Sequence, residues 1–271
     1  MQIHWQPQPK QIIALQSNAD EILYGGARGG GKSSAGQAWL LYDIDKSRYR
    51  ALVIRKNADD LRDWLDRARF MYAPTEAKFI GNPPEIRFPV GGIIRSGHLK
   101  DENAYTKYQG QEYQKILIEE LHLIPRERDY ERLIGSCRST ISEIKPQVFA
   151  TCNPDEPGIE WIKHRWKVPD LPDFSKVYET SDRENRRFVF IPAKLEDNPA
   201  LFLGDPKYTA YLESLKHSDP DLYEAWRHGN WKGYGTEGAY YRNQLIKVEE
   251  DNRIIENLYN PEFPVYTWCD L

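Results

Sequence analysis

The stretch YGGARGGGKSSA, Tyr24 to Ala35, decides the fold. Within it, Gly26 to Ser33 fit G-x-x-x-x-G-K-[ST] at every fixed position. Glycines let a backbone wrap until several N–H groups converge on one anion. A helix opening at Lys32 adds its positive end to that cradle. Lys32 then reaches the β- and γ-phosphates, and the Ser33 hydroxyl is placed to ligate Mg²⁺. The spacing predicts an ATP–Mg²⁺ site formed by Gly26, Ala27, Arg28, Gly29, Gly30, Gly31, Lys32, Ser33 and Ser34.

The flanks supply the context that such a loop needs. EILYGG (21–26) reads as a strand running into the glycines. KSSAGQAWLLYDID (32–45) has helical spacing, with Ala35, Ala38, Trp39 and Tyr42 on one face. ALVIR (51–55) is a second buried strand, and 58–72 an amphipathic helix behind an acidic first turn. Residues 85–97 read as a hairpin around Gly91-Gly92, and two further strands lie at 115–121 and 146–155. Strands alternating with helices predict an α/β fold with a mostly parallel sheet flanked by helices; with the glycine loop ending its first strand, that sheet resembles a P-loop NTPase core of RecA/ASCE type.

Two strand ends carry candidate chemistry. ILIEE places Glu119 and Glu120 at the carboxyl end of an apolar strand, where open α/β sheets bind ligands. Glu119 is expected on the Mg²⁺ side, one methylene longer than the usual aspartate, and Glu120 as the base that polarises the attacking water. ATCNPD (150–155) ends the next strand, and Thr151 and Asn153 are candidates for sensing the γ-phosphate. An ordinary strand-to-turn exit is the competing reading there, since Asn-Pro often opens a turn.

Residues 1–187 are expected to form the ATPase core, and 188–231 its last strand and a small helical lid broken at Ser218-Asp219-Pro220. Residues 232–263 read as a linker, and 264–271 as the first strand of something cut short. Net charge is −4, so the chain is no general polyanion binder and any DNA contact must be local. Arg48 to Arg69 is one basic stretch. No run approaches the roughly 18 apolar residues of a membrane span. Three scattered cysteines, Cys137, Cys152 and Cys269, fit a reducing compartment.

In order and spacing, P-x-x-K-Q, the glycine loop, Gly91-Gly92, YQGQEYQKILIEEL, ATCNP, LEDNP and GNW together resemble the large terminase subunit of tailed double-stranded DNA bacteriophages. The resemblance implies an ATP-driven motor that moves double-stranded DNA into a procapsid in the host cytoplasm. It implies as partners the portal protein, the small terminase subunit and further copies of the chain in a ring. It casts Thr151, Cys152 and Asn153 as residues coupling hydrolysis to movement, and Gln11 as the adenine reader, with Trp5 a candidate to stack on the base. Arg28 resembles the arginine of terminase glycine loops, and Arg138 the arginine offered to a neighbouring subunit's site. VYTWCDL resembles the first strand of the family's ribonuclease H-like nuclease domain, with Asp270 as a metal ligand in an incomplete site. A two-lobed helicase and a nucleotide-gated binding module with little turnover are the alternatives. The first needs a second similar lobe, for which 188–271 is too short, and Glu120 argues against the second.

Overall fold

The computed structural model describes residues 5–155 and 157–232. Helix α1 (Pro9–Gln16) leads into β1 (Glu21–Gly26), and the glycine loop passes β1 on to α2 (Lys32–Trp39). Next come β2 (Arg50–Arg55), α3 (Arg62–Tyr72) and three strands, β3 (Lys78–Ile80), β4 (Glu85–Arg87) and β5 (Ile93–His98). Then follow β6 (Lys115–Ile118), α4 (Glu127–Ile134), β7 (Gln147–Cys152), α5 (Ile159–Trp166), β8 (Tyr178–Ser181) and β9 (Arg187–Ala193). Helices α6 (Pro199–Phe202), α7 (Pro206–Ser218) and α8 (Pro220–His228) complete the described chain.

One sheet holds all these strands, in the order β3-β4-β5-β2-β6-β7-β1-β9-β8. Every pair from β5 across to β9 is parallel, and the antiparallel pairs sit at the two edges. The inner parallel strands β1, β2, β6, β7 and β9 each carry a continuous apolar run because helices cover both faces. Side-chain alternation divides the runs between two cores. Ile22, Tyr24, Val53, Leu117 and Phe149 face α2 and α3, whereas Leu23, Leu52, Ile54, Ile116 and Ile118 face α4 and α5. Trp39 of α2 packs on Phe149 at 5.3 Å between ring centroids. Burying a side chain of such size contributes about 1.5–3 kcal/mol, so the packing fixes α2, and hence the glycine loop, against the sheet.

The sequence-based reading differs from the structure in three places. The helix expected over 32–45 ends at Trp39, and Tyr42 is exposed. Trp39, Leu40 and Leu41 are all buried, and three consecutive core positions cannot share one helical face. The chain therefore tightens into turns, pinned where Asp43 meets Lys46 at 2.6 Å and Lys115 at 3.1 Å. Second, the basic stretch Arg48 to Arg69 is partly neutralised. Arg62, Arg67 and Arg69 pair with Asp59, Asp63 and Asp66, and Arg55 pairs with Glu120. Third, edge strands β3 and β8 were not legible, because their side chains are mostly half-buried or exposed.

The break at Ser218-Asp219-Pro220 stands as read. Asp219 caps α8 by accepting from the Leu222 N–H at 3.0 Å, and Pro220 opens that helix. α7 and α8 pack on each other through Leu212, Leu215 and Tyr223. The following Trp231 is fully buried in the main core, edge-on to Phe190 of β9. Apart from Lys232, the linker expected over 232–263, the strand expected over 264–271 and Asp270 lie outside the described residues.

Candidate nucleotide site

Parallel register brings the three candidate motifs to one level. Tyr24 and Gly25 of β1 lie opposite Thr151 and Cys152 of β7, and Ile118 of β6 lies opposite Ala150. The glycine loop, the acid pair and the ATCNP exit therefore emerge together at the carboxyl edge of the sheet. β7 stands between the loop strand and the acid strand.

The glycines are needed where the backbone is tightest. Gly26 has φ 136°, and a Cβ there would lie 2.2 Å from the Ala193 carbonyl oxygen. Gly31, at φ 74°, turns the chain into α2, and a Cβ would lie 2.6 Å from the Gln11 amide. Gln11 donates to the Gly31 carbonyl at 2.8 Å and accepts from the Gln8 N–H at 2.8 Å. Its amide is thus largely committed to holding the loop, with one N–H left over for a base. Asn198 supports the same loop, donating to the Gly29 carbonyl at 2.7 Å.

Lys32 is buried, and its Nζ donates to the carbonyls of Ala27 at 2.5 Å and Gly26 at 3.2 Å. Burial lowers its pKa to about 8. Arg28 stacks on Trp226 of α8, its guanidinium carbon 3.2 Å from the ring centroid, and its buried Nε has no partner. Ser33 Oγ donates to Glu119 Oε2 at 2.7 Å, and Thr151 Oγ1 donates to the same oxygen at 3.1 Å. Glu119 Oε1 is buried with no partner, and burial raises the pKa of its carboxyl. One orphaned carboxylate oxygen beside a serine hydroxyl suits Mg²⁺, which takes one or two carboxylates and completes its shell with phosphate and water.

Glu120 follows with positive φ, 53°, which turns its side chain out of the strand direction. Its N–H donates to Thr151 Oγ1 at 3.0 Å, and its carboxylate pairs with Arg55 at 2.6 Å. A cavity of about 330 Å³ is lined by the glycine loop together with Glu120, Thr151, Cys152, Asn153 and Asn198. Ser34 and Arg67 also line a second, mainly apolar cavity of about 600 Å³, with Trp5, Phe70, Met71 and Pro74.

Arg138 is not brought to this site. It is exposed, and its N–H donates to Tyr113 O at 3.0 Å beside the Tyr113–Cys137 bridge. That bridge precedes β6, so Arg138 sits at the amino edge of the sheet, opposite the cradle. Sequence reasoning missed Arg55, His122, Asn198 and Trp226. Asn198 lies in LEDNP, one of the stretches that carry the resemblance, but the other three depend on which strands and helices become neighbours.

The profile of the family described as terminase large subunit, T4likevirus-type, N-terminal, matches residues 23–248. A search of curated proteins found no match. Among solved structures, the large terminase of a thermophilic bacteriophage superposes with a TM-score of 0.62 at 18% identity, covering 84% of this chain and 54% of that one. The same phage's large terminase in complex with ATP-gamma-S gives 0.60 at 16%, covering 83% and 53%. The Thermus phage P74-26 large terminase ATPase domain gives 0.58 at 12%, covering 84% and 95%. The chain thus spans about half the length of the first of these relatives, and at such identities the likeness establishes the fold. With the profile covering most of the sequence, the chain belongs to the terminase large subunit family, matching its N-terminal part.

Proposed function

We propose that this chain is the ATPase portion of a viral DNA-packaging motor, coupling ATP hydrolysis to movement of double-stranded DNA into a procapsid. The observation that carries the hydrolytic part is the meeting of Ser33, Glu119, Glu120 and Thr151 beside a glycine-loop cavity. In this reading the loop N–H groups and Lys32 hold the β- and γ-phosphates. Ser33 and Glu119 would hold Mg²⁺, which neutralises phosphate charge when bound. Glu120 leaves Arg55 to accept a proton from the attacking water, and Asn153 orients that water or the γ-phosphate. Thr151 and Cys152, at the end of β7, form the coupling segment together with Asn153. The base occupies the apolar cavity beside Trp5 and Phe70, and Gln11 acts chiefly by holding Gly31.

DNA, the portal protein, the small terminase subunit and a ring of copies are the partners that this reading requires. A motor must accept any sequence, so its DNA contacts fall on phosphates. Two experiments test the reading. Lys32→Ala is expected to remove most ATP affinity by calorimetry, since it deletes a charge-assisted contact. Unchanged affinity would move the site elsewhere. DNA binding is expected to fall steeply with salt and to vary little with sequence; a salt-insensitive or sequence-specific affinity would contradict the motor.

A further inference from the structure

The parallel ladder between β6 and β7 ends at the Ile118–Ala150 pair, just short of the residues that face the cavity. Beyond it, two side chains hold the strand exits together. Thr151 Oγ1 accepts from the Glu120 N–H at 3.0 Å, and one step further His122 Nδ1 accepts from the Asn153 N–H at 3.2 Å. His122 sits in the single 3-10 turn that follows Glu120, and that turn is fixed from outside. The His122 carbonyl accepts from the Gly158 N–H at 2.7 Å, and the Trp161 indole donates to the Ile124 carbonyl at 2.9 Å.

His122 is only 3% exposed. Because its Nδ1 accepts from a backbone N–H, the ring proton belongs on Nε2. Burial favours that neutral form, lowering the pKa to about 4, and the cations Lys32, Arg28 and Arg55 act in the same direction against Asp155. A neutral, buried acceptor of this kind serves geometry rather than proton transfer.

We propose that His122 is a positioning residue that sets the spacing of Glu120 and Asn153 across the phosphate cavity, replacing the ladder bond that the diverging strands no longer make. Asn153 lines the cavity that Glu120 also lines. Loss of the imidazole acceptor leaves a buried N–H unmet and frees the Asn153 backbone to drift. The link continues outward. Asp155 Oδ2 accepts from the Trp226 indole at 3.1 Å, and Trp226 carries Arg28 of the glycine loop. The inference rests on the hydrolytic reading above.

The test compares two polar replacements of similar bulk. His122→Asn can place its carbonyl oxygen where Nδ1 stood and still accept from Asn153. His122→Gln carries its amide further out, toward the Nε2 position, and leaves that N–H unmet. Parent and variants are measured for ATP-gamma-S affinity, thermal midpoint, kcat and KM. The expected result is affinity within about twofold of the parent for both, with kcat near the parent for Asn and about tenfold lower for Gln, one positioning contact's worth. Equal kcat for the two variants, or a loss of nucleotide affinity that parallels the loss of kcat, overturns the proposal. A parent chain that releases no phosphate while binding ATP-gamma-S fails the hydrolytic reading instead, and the two failures are distinguishable.

Discussion

Glu120 and Arg55 share a contact of 2.6 Å, and either side chain is only partly exposed. While that pair holds, one carboxylate oxygen is turned to the arginine rather than to a water on the γ-phosphate. Arg55→Ala is expected to raise turnover in the absence of DNA by about two- to fivefold, the worth of one partly exposed ion pair, with ATP affinity unchanged. Phosphate release below the parent rate would show that Arg55 supports the base instead of restraining it. A second residue-scale outcome concerns the loop. Gly31→Ala forces a Cβ into positive φ and against the Gln11 amide, which is expected to destabilise the protein by about 1–3 kcal/mol and to weaken ATP binding. Chemical denaturation and calorimetry read both effects, and an unchanged midpoint would mean that the loop relaxes freely.

The helix that carries Ser33 depends at its far end on Asp43. Burial works to raise the Asp43 pKa, but the hydrogen bond from Lys46 and the charge of Lys115 outweigh it and hold it below the ordinary carboxylate value. A depressed folded pKa stabilises the protein above the ordinary carboxylate range, and that contribution fades as pH falls through the folded value. Asp43→Asn is therefore expected to lower the thermal midpoint at neutral pH and to lose its effect below about pH 4. A pH-independent difference would assign the loss to packing. At this scale much was legible from sequence. The strands at 21–26, 51–55 and 147–152 announce themselves through the apolar runs Ile22–Tyr24, Ala51–Ile54 and Val148–Ala150, because burial on both faces leaves no alternation to hide them. The end of α2 was not legible, since Leu40 and Leu41 turn inward only where β2 and β6 offer them a core. Arg55 and His122 were missed for a related reason. Their roles follow from β6 lying between β2 and β7, and strand order is not written in local sequence.

Across the whole molecule the glycine loop and Arg138 occupy opposite edges of the sheet, so Arg138 cannot serve its own chain's phosphates. Exposed on that edge, it is the residue proposed for a neighbour's phosphates. If it serves them, Arg138→Ala binds ATP normally but is nearly inactive, as an arginine at the γ-phosphate contributes about 10³- to 10⁵-fold in rate. Mixed with Glu120→Gln, it is expected to recover activity in assembled rings; verified mixed rings without recovery would return the role to Arg28, already in the cavity on Trp226. Everything at this scale rests on one chemical claim, that Glu120 activates water for ATP held at the glycine loop. The most direct measurement is steady-state phosphate release with Mg²⁺ and ATP by the parent chain and by Glu120→Gln, alongside ATP affinity for each. The expected result is equal affinity with turnover abolished in Glu120→Gln. Phosphate release by that variant at the parent rate would contradict it and place the base elsewhere.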